Sequence, residues 1–153
     1  ISGADRELPT CERDENMIDF IRKPRYTLPD LIRLVHALRA PGGCPWDAAQ
    51  THLSIRRNFL EEAYEACEAL DCDDAAMLRE ELGDVLFAAV RVASTLERDP
   101  EQALHAACEK FIRRFTAMEQ TALSEGRPLE TLSKDELLAG WNAQKRVVPG
   151  GEQ

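Results

Sequence analysis

Glu62 and Glu65 lie three residues apart in the run LEEAYEACEAL, and Glu81 and Asp84 lie three apart in REELGD. On a helix each such pair shares one face. Ionised carboxylates are hard, acceptor-only ligands, so four of them aimed at one point describe a site for Mg²⁺, with Mn²⁺ as a substitute, rather than for zinc or copper. The spacing permits that convergence. The turn DCDDA separates the two runs and centres near residue 73. Glu65 and Glu81 then stand equally far from it, at about 12 Å by the helical rise, and Glu62 and Asp84 match one turn further out. Unanswered, the arrangement is costly: like charges about 4 Å apart repel by roughly 4 kcal/mol at an effective dielectric of 20, well beyond the few tenths that a helical surface pair returns. A di-iron bundle would need Glu-x-x-His, but the residues three before His36, His52 and His105 are Arg33, Ala49 and Gln102.

The competing reading is a solvated charged face, the usual fate of a charge run. For the helix that carries Glu62 and Glu65 it holds well, because the acids lie roughly opposite an apolar stripe of Phe59, Leu60, Ala63, Tyr64, Cys67 and Leu70. The next helix argues the other way. From Leu82 to Leu96 only Asp84 and Arg91 are charged, and a helix apolar nearly all round is expected to be buried on most sides. Glu81 and Asp84 would then sit at the edge of a core or an interface, where an unpaired charge is expensive.

The elements that must hold these residues follow from helical periods and their punctuation. Residues 1–25, with Pro9 and Pro24, read as a flexible lead-in with a short helical turn at Met17 to Ile21. Leu31, Leu34, Val35 and Leu38 repeat at helical spacing over 28–40, between Pro29 and Gly42-Gly43. A loop, PGGCPWDAAQ, leads to a helix over about 54–70 and, after the acidic turn, to another over about 76–97. Asp99-Pro100-Glu101-Gln102 starts a helix running to about Leu123, and Ser133 with Glu136 caps a last one ending near Arg146. No segment alternates with a strand's period of two. The expected fold is all-α: an antiparallel bundle of about five helices around an acidic hairpin.

With 153 residues the chain fits one domain with a single core. Its net charge of −9 and 44% hydrophobic content describe an acidic folded protein rather than a disordered one. A nucleic acid polymer is a poor partner for such a surface, which lacks a basic stripe; a small anion carried with divalent metal is compatible. The cysteines at 11, 44, 67, 72 and 108 are odd in number and form no C-x-x-C pair, so a reducing cytoplasm fits. The longest apolar run, Val85 to Val90, is too short to span a bilayer, and no leader pattern opens the chain.

Glu61-Glu62-x-x-Glu65 followed by Glu81-x-x-Asp84 resembles the metal-binding signature of the MazG-type nucleoside triphosphate pyrophosphohydrolases. GCPWDAAQTHLSIRRNFLEEAYE before it and DPEQALHAACEKFIRRF after it are similar to the flanking segments of that family, over about residues 28–146 in all. The resemblance implies an all-α catalytic domain, 26–147, after the N-terminal segment and before a tail, 148–153. It further implies a homodimer at least, with a dimer of dimers compatible, and hydrolysis of an NTP between the α and β phosphates to NMP and pyrophosphate. By position, Glu62, Glu65, Glu81 and Asp84 would hold one or more Mg²⁺ ions, and Glu61 would support them or orient the attacking water. Lys110 and Arg114 would meet the triphosphate, Trp141 and Lys145 would reach the site from the last helix, and Trp46, Asp47 and Gln50 would help form the nucleotide pocket. Where comparable sequences tend to carry asparagine, this chain has Arg91 and Cys108, so its contacts to nucleoside or phosphate are expected to differ. Only one copy of the acidic signature is present.

The leading expectation is therefore a Mg²⁺-dependent NTP pyrophosphohydrolase with a house-cleaning role against surplus or non-standard nucleotides. The alternatives are another all-α pyrophosphohydrolase, dUTPase-like or phosphoribosyl-ATP-cleaving, and a non-catalytic helical dimerisation or regulatory module. The C-P-W-D loop favours the first over the second. The cations placed after the acidic hairpin favour it over the third, because a docking surface for a basic partner has no use for them.

Overall fold

A computed structural model of the chain describes Ile18 and residues 20–147. It contains six α-helices and a 3₁₀ turn at Leu129–Thr131: α1 Leu28–Arg39, α2 Pro45–Ala49, α3 His52–Asp71, α4 Ala75–Thr95, α5 Pro100–Ser124 and α6 Lys134–Val147. The all-α expectation holds, and no strand occurs among the described residues. No helix among them is long and apolar enough to cross a membrane. Most of the expected lead-in, and the tail, lie outside the described residues; so do Met17 and Asp19 of the expected helical turn, while Phe20 and Ile21 are not helical. One element was not foreseen. The loop after α1 contains α2, which Pro45 starts because its fixed φ suits a first helical position.

The chain forms two compact units, Ile1–Glu97 and Arg98–Gln153. In the first, α3 and α4 make the most extensive helix pairing, joined by a turn short enough to force an antiparallel hairpin; α1 lies on α4, and α2 on α1. The hairpin turn is fixed locally. Asp73 takes φ 53°, a left-handed conformation that Asp tolerates, and the Asp74 side chain caps α4 by accepting hydrogen bonds from the backbone N–H groups of Ala76 and Met77. After α1 the chain turns back tightly at Gly43, where an added Cβ would lie 2.3 Å from the Leu38 carbonyl oxygen. In the second unit α5 and α6 pair. Asp99 caps α5, and Ser133 with Glu136 forms the foreseen reciprocal cap of α6, with Ser133 N–H donating to Glu136 Oε2 at 2.8 Å and Glu136 N–H to Ser133 Oγ at 3.3 Å.

The packing of the hairpin departs from the expected one. Along α3 the protected positions are Ile55, Asn58, Glu62, Ala63, Ala66 and Ala69, a helical stripe that contains the acid itself. The larger apolar stripe points elsewhere: Tyr64 is 73% exposed and Leu70 61%. On α4 the corresponding stripe is Leu78, Glu81, Val85, Ala88 and Val92. Burial of α4 on most sides holds only for its second half, where every residue over 87–95 but Ala89 is at least half-buried; in the first half Leu82 and Leu86 are 51% and 62% exposed. Hydropathy alone misassigned the faces because alanines, which allow close helix approach, weigh little beside leucine and tyrosine in an apolar stripe.

Candidate metal centre and its surroundings

Glu62 on α3 and Glu81 and Asp84 on α4 each bring a carboxylate oxygen within 4.8 Å of the others. The protected stripes just described account for this: Glu62 and Glu81 face across the hairpin, half-buried, and Asp84 stands at its exposed margin. Glu65 is exposed and its carboxylate lies outside this trio. Its charge nonetheless reaches the centre. Loss of hydration pushes the Glu81 carboxyl above its ordinary range, and the charges of Glu65, Asp84, Glu80 and Glu62, in that order, push it the same way. The donor set, oxygen only and close enough to share one ion, fits a hard dication.

Neighbours on α3 orient the acids. Asn58, one turn before Glu62, donates from Nδ2 to Glu62 Oε1 at 2.9 Å, and its own Oδ1 is buried without a hydrogen-bond partner. The amide must face this way, since a carboxylate only accepts. Arg57 likewise holds Glu61, Nε to Oε1 at 2.9 Å, on an exposed face beside the trio. Sequence reasoning passed over Asn58 and Glu80; an i,i+4 Asn–Glu spacing was the available signal for the first.

The C-P-W-D segment, which forms α2, is anchored rather than open. Asp47 is 3% exposed. Arg91 Nε approaches its Oδ1 at 3.0 Å as an ion pair, without the alignment of a hydrogen bond, and Arg39 donates to its backbone carbonyl and to Thr95 Oγ1. The Arg91 guanidinium also lies 4.6 Å from the Phe87 ring centroid and 5.4 Å from that of Trp46. Trp46 itself is half-exposed. Both ends of the Gln50 amide are engaged, by the Trp46 carbonyl and by Ser54 Oγ. An apolar cavity of about 490 Å³ lies between α1 and α4, lined by Tyr26, Leu31, Leu34, Gly83, Leu86 and Phe87 among others.

In the second unit Lys110 and Arg114 stand half-buried one turn apart on α5, and Lys145 is exposed on α6. Trp141 packs against Phe111 of α5, ring centroids 5.1 Å apart.

Residues 50–118 match the MazG nucleotide pyrophosphohydrolase domain. The chain is 42% identical over 89 residues to the nucleoside triphosphate pyrophosphohydrolase/pyrophosphatase MazG of Thermotoga maritima, covering 56% of this chain and 35% of that protein. It is 35% identical over 125 residues to a nucleoside triphosphate pyrophosphohydrolase of Mycolicibacterium smegmatis, covering 80% and 37% respectively, and 32% identical over 118 residues to the uncharacterized protein YabN of Bacillus subtilis, covering 74% and 23%. The chain thus spans about a quarter to just over a third of the length of these relatives.

Proposed function

Through residues 50–118 the chain belongs to the MazG-like all-α pyrophosphohydrolase family, and on that premise we propose that it hydrolyses nucleoside triphosphates at the α–β phosphoanhydride, giving NMP and pyrophosphate. The single observation that carries the reading is the meeting of Glu62, Glu81 and Asp84 across the hairpin. These three would hold Mg²⁺, with Glu65 completing the set; when bound, the ion neutralises phosphate oxygens and lowers the pKa of a water. An acidic surface by itself repels a triphosphate, and a bound dication reverses the local sign.

The chain's own residues supply the rest. Asn58 fixes the Glu62 carboxylate, so that the ligand is oriented before the ion arrives. Glu61, held by Arg57 on the same helix, is assigned to orienting the attacking water. Lys110, Arg114 and Lys145 are assigned to the phosphates, where fixed cations stabilise the departing pyrophosphate, and Trp141 to the nucleotide. Trp46, Asp47 and Gln50 belong to the nucleoside side, with the half-exposed Trp46 ring as a stacking surface and the other two holding it in place.

We assign the working form to a homodimer. The exposed Leu82, Leu86 and Tyr64 on the outer faces of the hairpin support it, because such large apolar side chains beside an acidic centre are the kind of surface a second copy covers. The cytoplasm is the setting that fits the unpaired thiols of Cys44, Cys67, Cys72 and Cys108. Clearance of surplus or non-standard nucleotides is the role consistent with that setting.

Incubation with a panel of NTPs and dNTPs in Mg²⁺, assayed for pyrophosphate against orthophosphate, tests the activity. Pyrophosphate is the expected product. Its absence with every nucleotide, or undiminished release by Glu62→Gln, overturns the reading.

A further inference from the structure

Arg91 is, with Asp84, one of two charged residues between Leu82 and Leu96 of the α4 region, and its surroundings give it a task. Asp84 and Arg91 are seven residues apart on α4, two turns, so they share one stripe about 10 Å apart along the axis. At one end of the stripe is the carboxylate trio. At the other the guanidinium is ion-paired with the buried Asp47 and flanked by the Phe87 and Trp46 rings. The Arg91 side chain is 23% exposed, and its planar fork can pair with a carboxylate in its plane while its faces meet aromatic rings, which an ammonium cannot do.

α2 packs on α1 and is tied to α4 through Arg91. It is five residues long, too short to be stable alone. The Asp47 carboxylate needs a cation where it lies, because a buried unpaired charge is strongly disfavoured. Arg39 secures only the backbone of the segment, through the Asp47 carbonyl. Arg91 joins the Asp47 and Trp46 side chains of α2 to α4, the helix that carries Glu81 and Asp84.

We propose that Arg91 is a positioning residue for nucleotide selection: by pairing with Asp47 and bracing Trp46 from the side of Phe87, it fixes the ring that receives the nucleobase at a set distance from the phosphate-binding acids. The inference rests on the pyrophosphohydrolase reading and deepens it, naming what couples the base end of the site to its metal end. Because the coupling acts through Trp46, it governs substrates with a base and not those without one. Arg91→Lys keeps the charge opposite Asp47 but removes the planar stacking.

The decisive measurement compares kcat/KM for an NTP with kcat/KM for ribose 5-triphosphate, which carries no base, in the wild type, Arg91→Lys and Arg91→Gln. The ratio of the two is expected to fall about tenfold in the variants, chiefly through KM of the NTP. A parallel fall for both substrates, leaving the ratio unchanged, marks a merely structural residue and overturns the proposal, as does no change in either. Trp46 and Trp141 are the two tryptophans of the chain, so a Trp141→Phe background lets Trp46 report its own mobility. There Arg91→Lys should raise acrylamide quenching of Trp46 about twofold, since the ring loses a cation–π partner; unaltered quenching overturns the bracing. Should the wild type cleave neither substrate, the pyrophosphohydrolase reading falls, and the quenching measurement decides the positioning of Trp46 by itself.

Discussion

Asp84 belongs to α4 and Asp47 contacts the same helix seven residues further on, at Arg91, so that one carboxylate is answered by a guanidinium and the other by two more carboxylates. Asp47 is buried and compensated; so is Asp30 at the start of α1, where Lys23, Thr27 and Arg33 together hold its carboxyl far below the usual carboxylate range. At the hairpin the same chemical group is left with neighbours that raise the proton affinity of Glu81. The difference separates two uses of a carboxylate. One that is supplied with donors stabilises the fold, whereas one surrounded by its own kind costs the fold stability, which is the arrangement the proposed metal site requires.

The largest test of this contrast is Glu62→Gln. We expect kcat/KM for NTP hydrolysis to fall by about 10²–10³, while thermal unfolding of the metal-free variant occurs at the same temperature as wild type or above it, because a repulsion has been relieved. A lowered Tm without metal would place Glu62 among the structural carboxylates and break the comparison. Next in size is the response to Mg²⁺ itself: at a concentration about 100 times its Kd the ion should stabilise the wild type by about 2.7 kcal/mol. Calorimetric or fluorescence melts should show this shift vanish in Glu62→Gln and persist in Asp30→Asn.

Asp30→Asn should lower Tm by a few degrees with no change in metal response, since it loses charge-assisted bonds to Lys23 and Arg33 and the Thr27 N–H bond at the α1 start. A smaller effect follows from the titration of Glu81. Its folded-state pKa is raised, so the folded protein binds the proton more tightly than the unfolded chain; stability without metal is greatest below the ordinary Glu range and declines as pH rises through that range to the raised value. Metal-free Glu81→Gln should lack that decline in a pH series of melts. The smallest is the opposite case. Glu136 is lowered to about 2 by the Ser133 backbone N–H, Arg127 and the Ser133 hydroxyl, so its contribution is complete above the ordinary Glu range and disappears as pH falls toward 2; Glu136→Gln should flatten that acid limb.

Much of the scaffold is legible in the residue pattern. Helix periods and the caps at Asp99 and Ser133 mark α5 and α6, and the i,i+3 spacing places Glu62, Glu81 and Asp84 on faces that meet. Sequence arithmetic matched Glu65 as a fourth equal partner; exposed and one turn nearer the bend, it lies outside the trio, and its charge raises Glu81. The faces of α3 and α4 were misread because a seam of alanine is quiet in hydropathy. Asp47 reads in the sequence as a pocket residue; its pairing depends on Arg91, 44 positions later in the chain, which no local pattern reveals.

That alanine seam sets an aperture. Ala66 lies one turn beyond Glu62 on α3, and Ala88 one turn beyond Asp84 on α4, both buried. Were a dication held by the acids as proposed, small side chains beside them would suit an ion bound at about 2.0–2.1 Å better than one that demands 2.3–2.6 Å and more ligands. On that reading a wider side chain at either position would shift the preferred ionic radius without altering any donor atom.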